Sequence, residues 1–218
     1  MPPFSQTLTA EKALIFRITH RNNVPWILEN GLHCQSSGVA DPDHVSIGNP
    51  ELIALRANRE VDIAPGGTLA DYIPFYFTPY SPMLLNIKTG YGGMPQRKNA
   101  EIVVLVSSLE ALSSNGVRYV YTDRHAYLRA AQFFDDPSQL GTVIDFEPLQ
   151  RRDFQRDPER PEKMERYQAE ALAHRFVPVD ALLGIGCYTP DIKAEIENTC
   201  RGLGVKAKIV HRAEWYFS

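Results

Sequence analysis

From residue 35 to residue 67 the chain is rich in Gly, Pro, Asn and Asp and carries one helix-like piece, at 50–59. Compact domains rarely hold so long an irregular stretch unless it is a mobile or a functional loop. The regular framework must therefore come from the flanking segments. On the N-terminal side, residues 14–19 alternate with the period of a strand, placing Ile15, Arg17 and Thr19 on one face and Phe16 and Ile18 on the other. An arginine turned inward from such a strand needs a partner. Asn23 then predicts a helix N-cap, Pro25 fits the first turn, and Gly31 ends the helix.

Beyond the loop, strands are expected at 72–78, 101–106, 117–122 and 182–188. Thr189-Pro190 caps a helix that Gly202 ends, and strands follow at 206–210 and 214–217. Residues 162–174 have a strongly helix-forming composition. Several strands, few helices and long loops predict an α+β fold on an antiparallel or mixed sheet, and nothing repeats as βα units. The 218 residues, 44% of them hydrophobic, fit a single domain spanning 1–218, with 1–12 as a flexible N-terminus. The Pro- and Arg-rich stretch 153–161 is the nearest thing to a hinge, too short to divide domains.

Several function classes are unsupported. No apolar run approaches the roughly 18 residues of a membrane span, and Met1 to Gln6 do not open a charged n-region with an apolar h-region after it. A cytoplasmic protein, monomeric and free of membrane, is expected. Cys34, Cys187 and Cys200 are odd in number and widely spaced, which suits reduced thiols rather than a disulfide framework or zinc site. The net charge of -3 predicts that any nucleic-acid contact is local. Basic residues gather at Arg124, His125 and Arg129, and at Arg151, Arg152 and Arg156; acidic neighbours make 151–163 read as a solvated face. Neither Gly66-Gly67 nor Gly92-Gly93 completes a dinucleotide or phosphate-loop motif, and no G-x-S-x-G elbow is present.

The residues able to carry chemistry are Arg17 and Thr19, Arg56 and Arg59, the aromatic run Tyr72-Ile73-Pro74-Phe75-Tyr76-Phe77, Thr122-Asp123-Arg124-His125, and Glu170. Each also fits a plain structural role: an ion pair under a sheet, core aromatics, a hydrogen-bonded turn, a solvated helix glutamate. Taken one at a time they decide nothing.

Taken in order, Leu14-Ile15-Phe16-Arg17-Ile18-Thr19-His20-Arg21-Asn22-Asn23, the block Asp71-Tyr72-Ile73-Pro74-Phe75-Tyr76-Phe77-Thr78-Pro79-Tyr80-Ser81-Pro82-Met83, Tyr121-Thr122-Asp123-Arg124-His125 and Tyr167-Gln168-Ala169-Glu170 resemble the DarT family of DNA ADP-ribosyltransferase toxins. The resemblance implies an ADP-ribosyltransferase fold, a split antiparallel sheet whose cleft holds NAD as co-substrate without a metal. It implies catalytic roles for Glu170, Arg56 and His125, and NAD contacts from Arg17, Thr19, His20, Asn22, Gly48, Leu55, Tyr76 and Met83. Some relatives carry His where this chain has Arg17; arginine holds the first-strand position in other transferase classes, so NAD binding is expected to survive. The family places its glutamate at the start of a strand, against the helical composition of 162–174.

The implied acceptor is a base of single-stranded DNA, thymine first and guanine second. The implied partner is an antitoxin whose macrodomain removes the mark. Cleavage between nicotinamide and ribose builds positive charge on the sugar, which a fixed carboxylate stabilises. Two other readings stay open at this level: transfer to protein or RNA, and a catalytically silent nucleic-acid-binding module of the same fold.

Overall fold

The computed structural model describes residues 4–218. Its strands are β1 (Leu14–His20), β2 (Leu32–His33), β3 (Tyr72–Tyr76), β4 (Ile102–Ser108), β5 (Tyr119–Thr122), β6 (Phe133–Phe134), β7 (Glu170–His174), β8 (Phe176–Val177), β9 (Gly184–Cys187) and β10 (Ile209–His211). Eight form one sheet in the order β10-β9-β4-β1-β3-β7-β5-β6, and β2 pairs with β8 separately. All neighbours are antiparallel except β9 and β10. The sheet is split, as the resemblance implies, and mixed, one of the two forms the strand pattern predicts.

The split has a specific place. β1 pairs with β4 along its whole length, from Leu14↔Ser108 to His20↔Ile102, but meets β3 only at Phe16↔Tyr76. Past that point β1 and β3 diverge, and the cleft opens beside Arg17 and Thr19. On the far half, β3 and β7 stay in register through Tyr72↔His174, Pro74↔Leu172 and Tyr76↔Glu170. Strand alternation then sorts their side chains. Ile73, Phe75, Ala171 and Ala173 join the main core, whereas Tyr72 and Leu172 join a smaller cluster with Val61, Val120, Ala126 and Phe133 on the other face. Tyr76 and Glu170 belong to that second face, at the lip of the split.

The helices are short, α1 (Val24–Asn30), α2 (Pro50–Ala57), α3 (Pro82–Thr89), α4 (Leu109–Ser114), α5 (Leu140–Val143), α6 (Phe146–Arg151) and α7 (Lys163–Arg166), except for α8 (Pro190–Leu203). α1 begins after Asn23 as expected, with Pro25 in its first turn and Gly31 at φ 77° after its end. The Asn23 side chain does not cap it. Its Nδ2 donates to Thr19 Oγ1 at 3.1 Å and to the Val45 carbonyl at 3.0 Å, and its Oδ1 accepts from the Val45 amide at 2.9 Å. The residue read as a cap thus fastens the long loop to β1.

Other expectations are corrected. α8 runs through Gly202 and stops at Gly204, whose φ of 68° ends the helix where a side chain would be strained. Residues 214–217 form no strand; a 3-10 turn at Ala213–Trp215 delivers Trp215, Tyr216 and Phe217 to the core. The helical composition of 162–174 yields only α7, and Glu170 starts β7, because pairing on both edges with β3 and β5 outweighs local propensity. The 151–163 stretch is less solvated than its charges imply: Lys163 is buried against Asp153, and Arg152 lies over the rings of Phe4 and Tyr80. Of the N-terminal stretch 1–12, residues 1–3 lie outside the described residues, and Phe4 and Leu8 are buried in the main core. All three cysteines are free and buried. Among the described residues no helix is long and apolar enough to cross a membrane.

Candidate active site

The split between β1 and β3 becomes a cavity of about 250 Å³ because the loop 35–67 and α2 close over it. α2 owes its start to Asn49, whose Oδ1 accepts from the Leu52 amide at 3.1 Å, and to Pro50 in its first turn. None of its residues is fully buried. Arg56, in its last turn, reaches down to the far wall, where its Nη1 donates to Glu170 Oε1 at 2.9 Å and its Nη2 to Oε2 at 2.7 Å. The fork-to-fork geometry fixes both groups.

Glu170 is 1% exposed. Its amide donates to Thr122 Oγ1 at 3.2 Å, Oε1 also accepts from the Ala126 amide at 3.0 Å, and His125 Nδ1 lies 3.5 Å away. Burial alone would raise its pKa; the Arg56 charge, with help from His125 and the two hydrogen bonds, overrides that and holds the carboxyl well below the usual range. The opposite balance raises Arg56, which stays charged. Burial lowers the pKa of His125, Arg56 adds to that and Glu170 opposes it, so the ring is neutral near pH 7. Because Nδ1 accepts from the Tyr127 amide at 3.3 Å, the neutral tautomer carries its proton on Nε2. Burial also raises the Tyr76 phenol, which stays protonated.

Arg17 answers the question its position posed. Its Nη1 donates across the split to the Pro74 carbonyl at 2.9 Å, and no carboxylate among the described residues forms an ion pair with it. Burial pushes its pKa down to about 10, and Arg56 adds to the push while Tyr76 and Glu170 oppose it. A half-buried cation short of counter-charge is a ready site for an anion. Arg17, Thr19, His44, Ser46 and Arg56 also border a second cavity of about 500 Å³ that runs toward Trp26, Cys34 and Tyr72. Arg17 and Arg56 border both chambers, so the neck between them is cationic. A third space, an open groove of about 630 Å³, meets the first cavity at Leu52, His125 and Gln168.

The structure brings together Arg17, Thr19, Gly48, Arg56, Tyr76, Met83, His125 and Glu170 around the first cavity. Three expected contacts stand apart from it. His20 turns to Glu101, 3.7 Å away, and takes a hydrogen bond from the Asn22 amide; Asn22 itself is exposed; Leu55 is 56% exposed on the outer side of α2. Conversely, His44, Ser46 and Asn86 line the cavity without any sequence signal beyond the length of the loop that carries the first two. Gln168 lies in the motif ending at Glu170, yet nothing in its spacing gave it a role. Among the described residues, no group of three or more His, Cys, Asp or Glu side chains could hold a metal ion.

Comparison with known proteins places this geometry. The sequence model of the family described as DarT, ssDNA thymidine ADP-ribosyltransferase, matches residues 16–217. A DNA ADP-ribosyl transferase of Escherichia coli O127:H6 (strain E2348/69 / EPEC) is 47% identical over 215 residues, covering 99% of this chain and 98% of the relative. The fold is similar to Thermus sp. 2.9 DarT in complex with ADP-ribosylated ssDNA, with a TM-score of 0.86 and 31% identity over 95% of this chain and 97% of that one. It is likewise similar to the same protein in complex with NAD+, with a TM-score of 0.82 and 30% identity over 95% and 98% of the two chains. The likeness spans both halves of the split sheet and the loop between them, and the chain belongs to the DarT family of ssDNA thymidine ADP-ribosyltransferases.

Proposed function

We propose that this chain transfers ADP-ribose from NAD to a thymine base of single-stranded DNA, with Glu170 serving the donor and Arg56 and His125 the acceptor. The observation that carries the reading is the Arg56–Glu170 fork, set in the cavity beside His125, which also lines the open groove. A silent binding module has no need of a buried carboxylate kept ionised there. The NAD+ and ADP-ribosylated ssDNA held by the Thermus relative support the same pair of substrates for this chain.

In this reading Arg17 holds the diphosphate at the neck, and Tyr76, opposite Glu170 across β3 and β7, frames the reacting sugar. As the bond to nicotinamide breaks, positive charge grows on the ribose, and the Glu170 carboxylate stabilises it at a fixed distance. The thymine ring nitrogen carries a proton and is a poor nucleophile until that proton leaves to solvent. The Arg56 guanidinium stabilises the resulting anion, and the His125 Nε2–H is placed to donate to a ring carbonyl. His20, Asn22 and Leu55 lie outside the cavity.

The modified nitrogen lies on the pairing edge of the base, so the adduct blocks the template. This gives the chain a toxic activity and calls for a partner that removes the mark, which we read as a macrodomain antitoxin. Action in the cytoplasm by a monomeric, single-domain chain completes the proposal. The test is to incubate the protein and NAD with oligonucleotides carrying thymidine, N3-methylthymidine or guanosine at one position, and with RNA and protein. Adduct on thymidine alone is expected. Equal reaction with N3-methylthymidine would overturn the acceptor assignment, and reaction with RNA or protein in preference to DNA would replace it.

A further inference from the structure

The groove that meets the catalytic cavity has two walls from separate parts of the chain. One is the loop 123–132, which contributes His125, Tyr127 and Leu128; the other is α7 with the residues flanking it, contributing Pro161, Met164 and Gln168. Neither wall belongs to the sheet. What joins them is Asp123, a buried carboxylate at the end of β5. Its Oδ2 accepts from Arg166 Nη1 of α7 at 3.2 Å and from Arg124 Nε at 3.1 Å, while Oδ1 accepts from the Gln132 amide at 3.0 Å. One carboxylate therefore closes the loop on itself, from 123 to 132, and ties it to the facing wall.

The tie is doubled on either side. Arg166 Nη2 donates to the Val143 carbonyl at 2.8 Å, so its guanidinium cannot rotate without losing a second bond. Arg124 Nη1 donates to Glu165 Oε2 at 3.3 Å, and the His125 amide donates to the Glu165 carbonyl at 3.2 Å. His125 thus sits on a backbone segment held by α7 through three consecutive residues. Glu170, in contrast, is fixed by β3–β7 pairing and by Arg56 from α2, and the loop reaches it only through the Ala126 amide and the His125 ring.

We propose that the Asp123–Arg166 pair is a positioning device for the acceptor: it clasps the two walls of the groove and so fixes His125 where the incoming base passes toward the cavity. The inference rests on the reading of the groove as the DNA approach. Loss of the clasp leaves the donor side in place and loosens the acceptor side. Its signature is therefore a split between two rates of the same enzyme, transfer to DNA and slow hydrolysis of NAD by water. A group that merely supports the fold would lower both together.

The experiment measures nicotinamide release without DNA, and adduct formation against oligonucleotide concentration, for wild type, Asp123→Asn, Arg166→Gln, Arg166→Lys and Arg124→Gln. Asparagine keeps the bond from Gln132 and removes the charge. We expect Asp123→Asn and Arg166→Gln to raise the oligonucleotide KM by about tenfold while hydrolysis stays within about twofold of wild type, a ratio that loss of one charge-assisted hydrogen bond can produce. Arg166→Lys should recover part of the loss, since lysine keeps the charge but not the fork. Arg124→Gln, which removes an outer tie and leaves the central pair, should show a smaller change in the same direction even if a core variant folds poorly. Parallel losses in hydrolysis and transfer, or an unchanged KM in all four variants, would overturn the clasp. Hydrolysis without any transfer by wild type would instead remove the DNA reading, and the clasp with it.

Discussion

Arg56 keeps the Glu170 carboxyl ionised against the opposing effect of burial. Removing one partner of a buried pair leaves the other charge uncompensated. In wild type the Glu170 pKa is depressed, so the carboxylate persists as the pH falls and is lost only below its usual range. In Arg56→Ala, burial acts on it unopposed by that charge and raises the pKa, so ionisation is lost at a higher pH. We expect nicotinamide release to be nearly flat from pH 5 to pH 8 in wild type and to fall on the acid side of that window in Arg56→Ala. Transfer should be nearly abolished in Arg56→Ala and partly retained in Arg56→Lys. Equal pH profiles for the two proteins would place Arg56 outside the control of Glu170. The other site groups leave a clean window at higher pH: His125 titrates below its usual value near 6.5, Arg17 at about 10, and Tyr76 and Arg56 above their usual values. Transfer should therefore rise between pH 7 and pH 9 as the base loses its proton, while hydrolysis stays level; a level transfer rate would mean that proton loss is not part of the rate-limiting step.

α2 carries Arg56 on the weakest support in the site. With no fully buried residue, it is held by its Asn49 cap, by the Arg56–Glu170 fork, and by its ends. Asn49→Ala should cost about 1 kcal/mol of local helix stability, the usual worth of an N-cap. We expect faster amide exchange across 50–57, with exchange in β4 and β7 unchanged and NAD slowing the α2 amides in both proteins. Exchange in 50–57 as slow as in the sheet would show α2 to be part of the rigid frame. The same element explains what the sequence did and did not disclose. Alternation marked β1 and the aromatic strand because their side chains divide cleanly between core and cleft, and the Asn49-Pro50 start of α2 is local chemistry. His44 and Ser46 escaped because they lie in backbone without period, held by the Asn23 amide group at Val45, a long-range bond with no spacing rule. Glu170 was placed at a strand start only by resemblance. Its own neighbours favour helix, and the pairing that overrules them comes from β3, far away in sequence.

The whole molecule offers DNA a local approach rather than a charged face: net charge is -3, and Arg124 and Arg166 beside the groove are engaged with acids, which leaves Arg156 on its lining as an arginine without an ion pair among the described residues. A base must be free of its partner to reach between the groove walls, and extracting it from a duplex costs a few kcal/mol. A duplex should therefore react at least about tenfold more slowly than the same sequence single-stranded, and affinity should decline with salt on a shallow slope. Equal rates on the two forms would contradict a buried meeting point for base and ribose. The split sheet, the fork and the groove together make one claim, that Glu170 supports ADP-ribose transfer to a thymine in single-stranded DNA. Its most direct test is the mass of a single-stranded oligonucleotide with one thymidine after incubation with NAD and either wild type or Glu170→Gln, with NAD-dependent melting as the check on folding and binding. The account predicts one ADP-ribose on the oligonucleotide with wild type and at least about 100-fold less with Glu170→Gln, which should still be stabilised by NAD; equal addition by the two proteins, or addition to an oligonucleotide without thymidine, would contradict it.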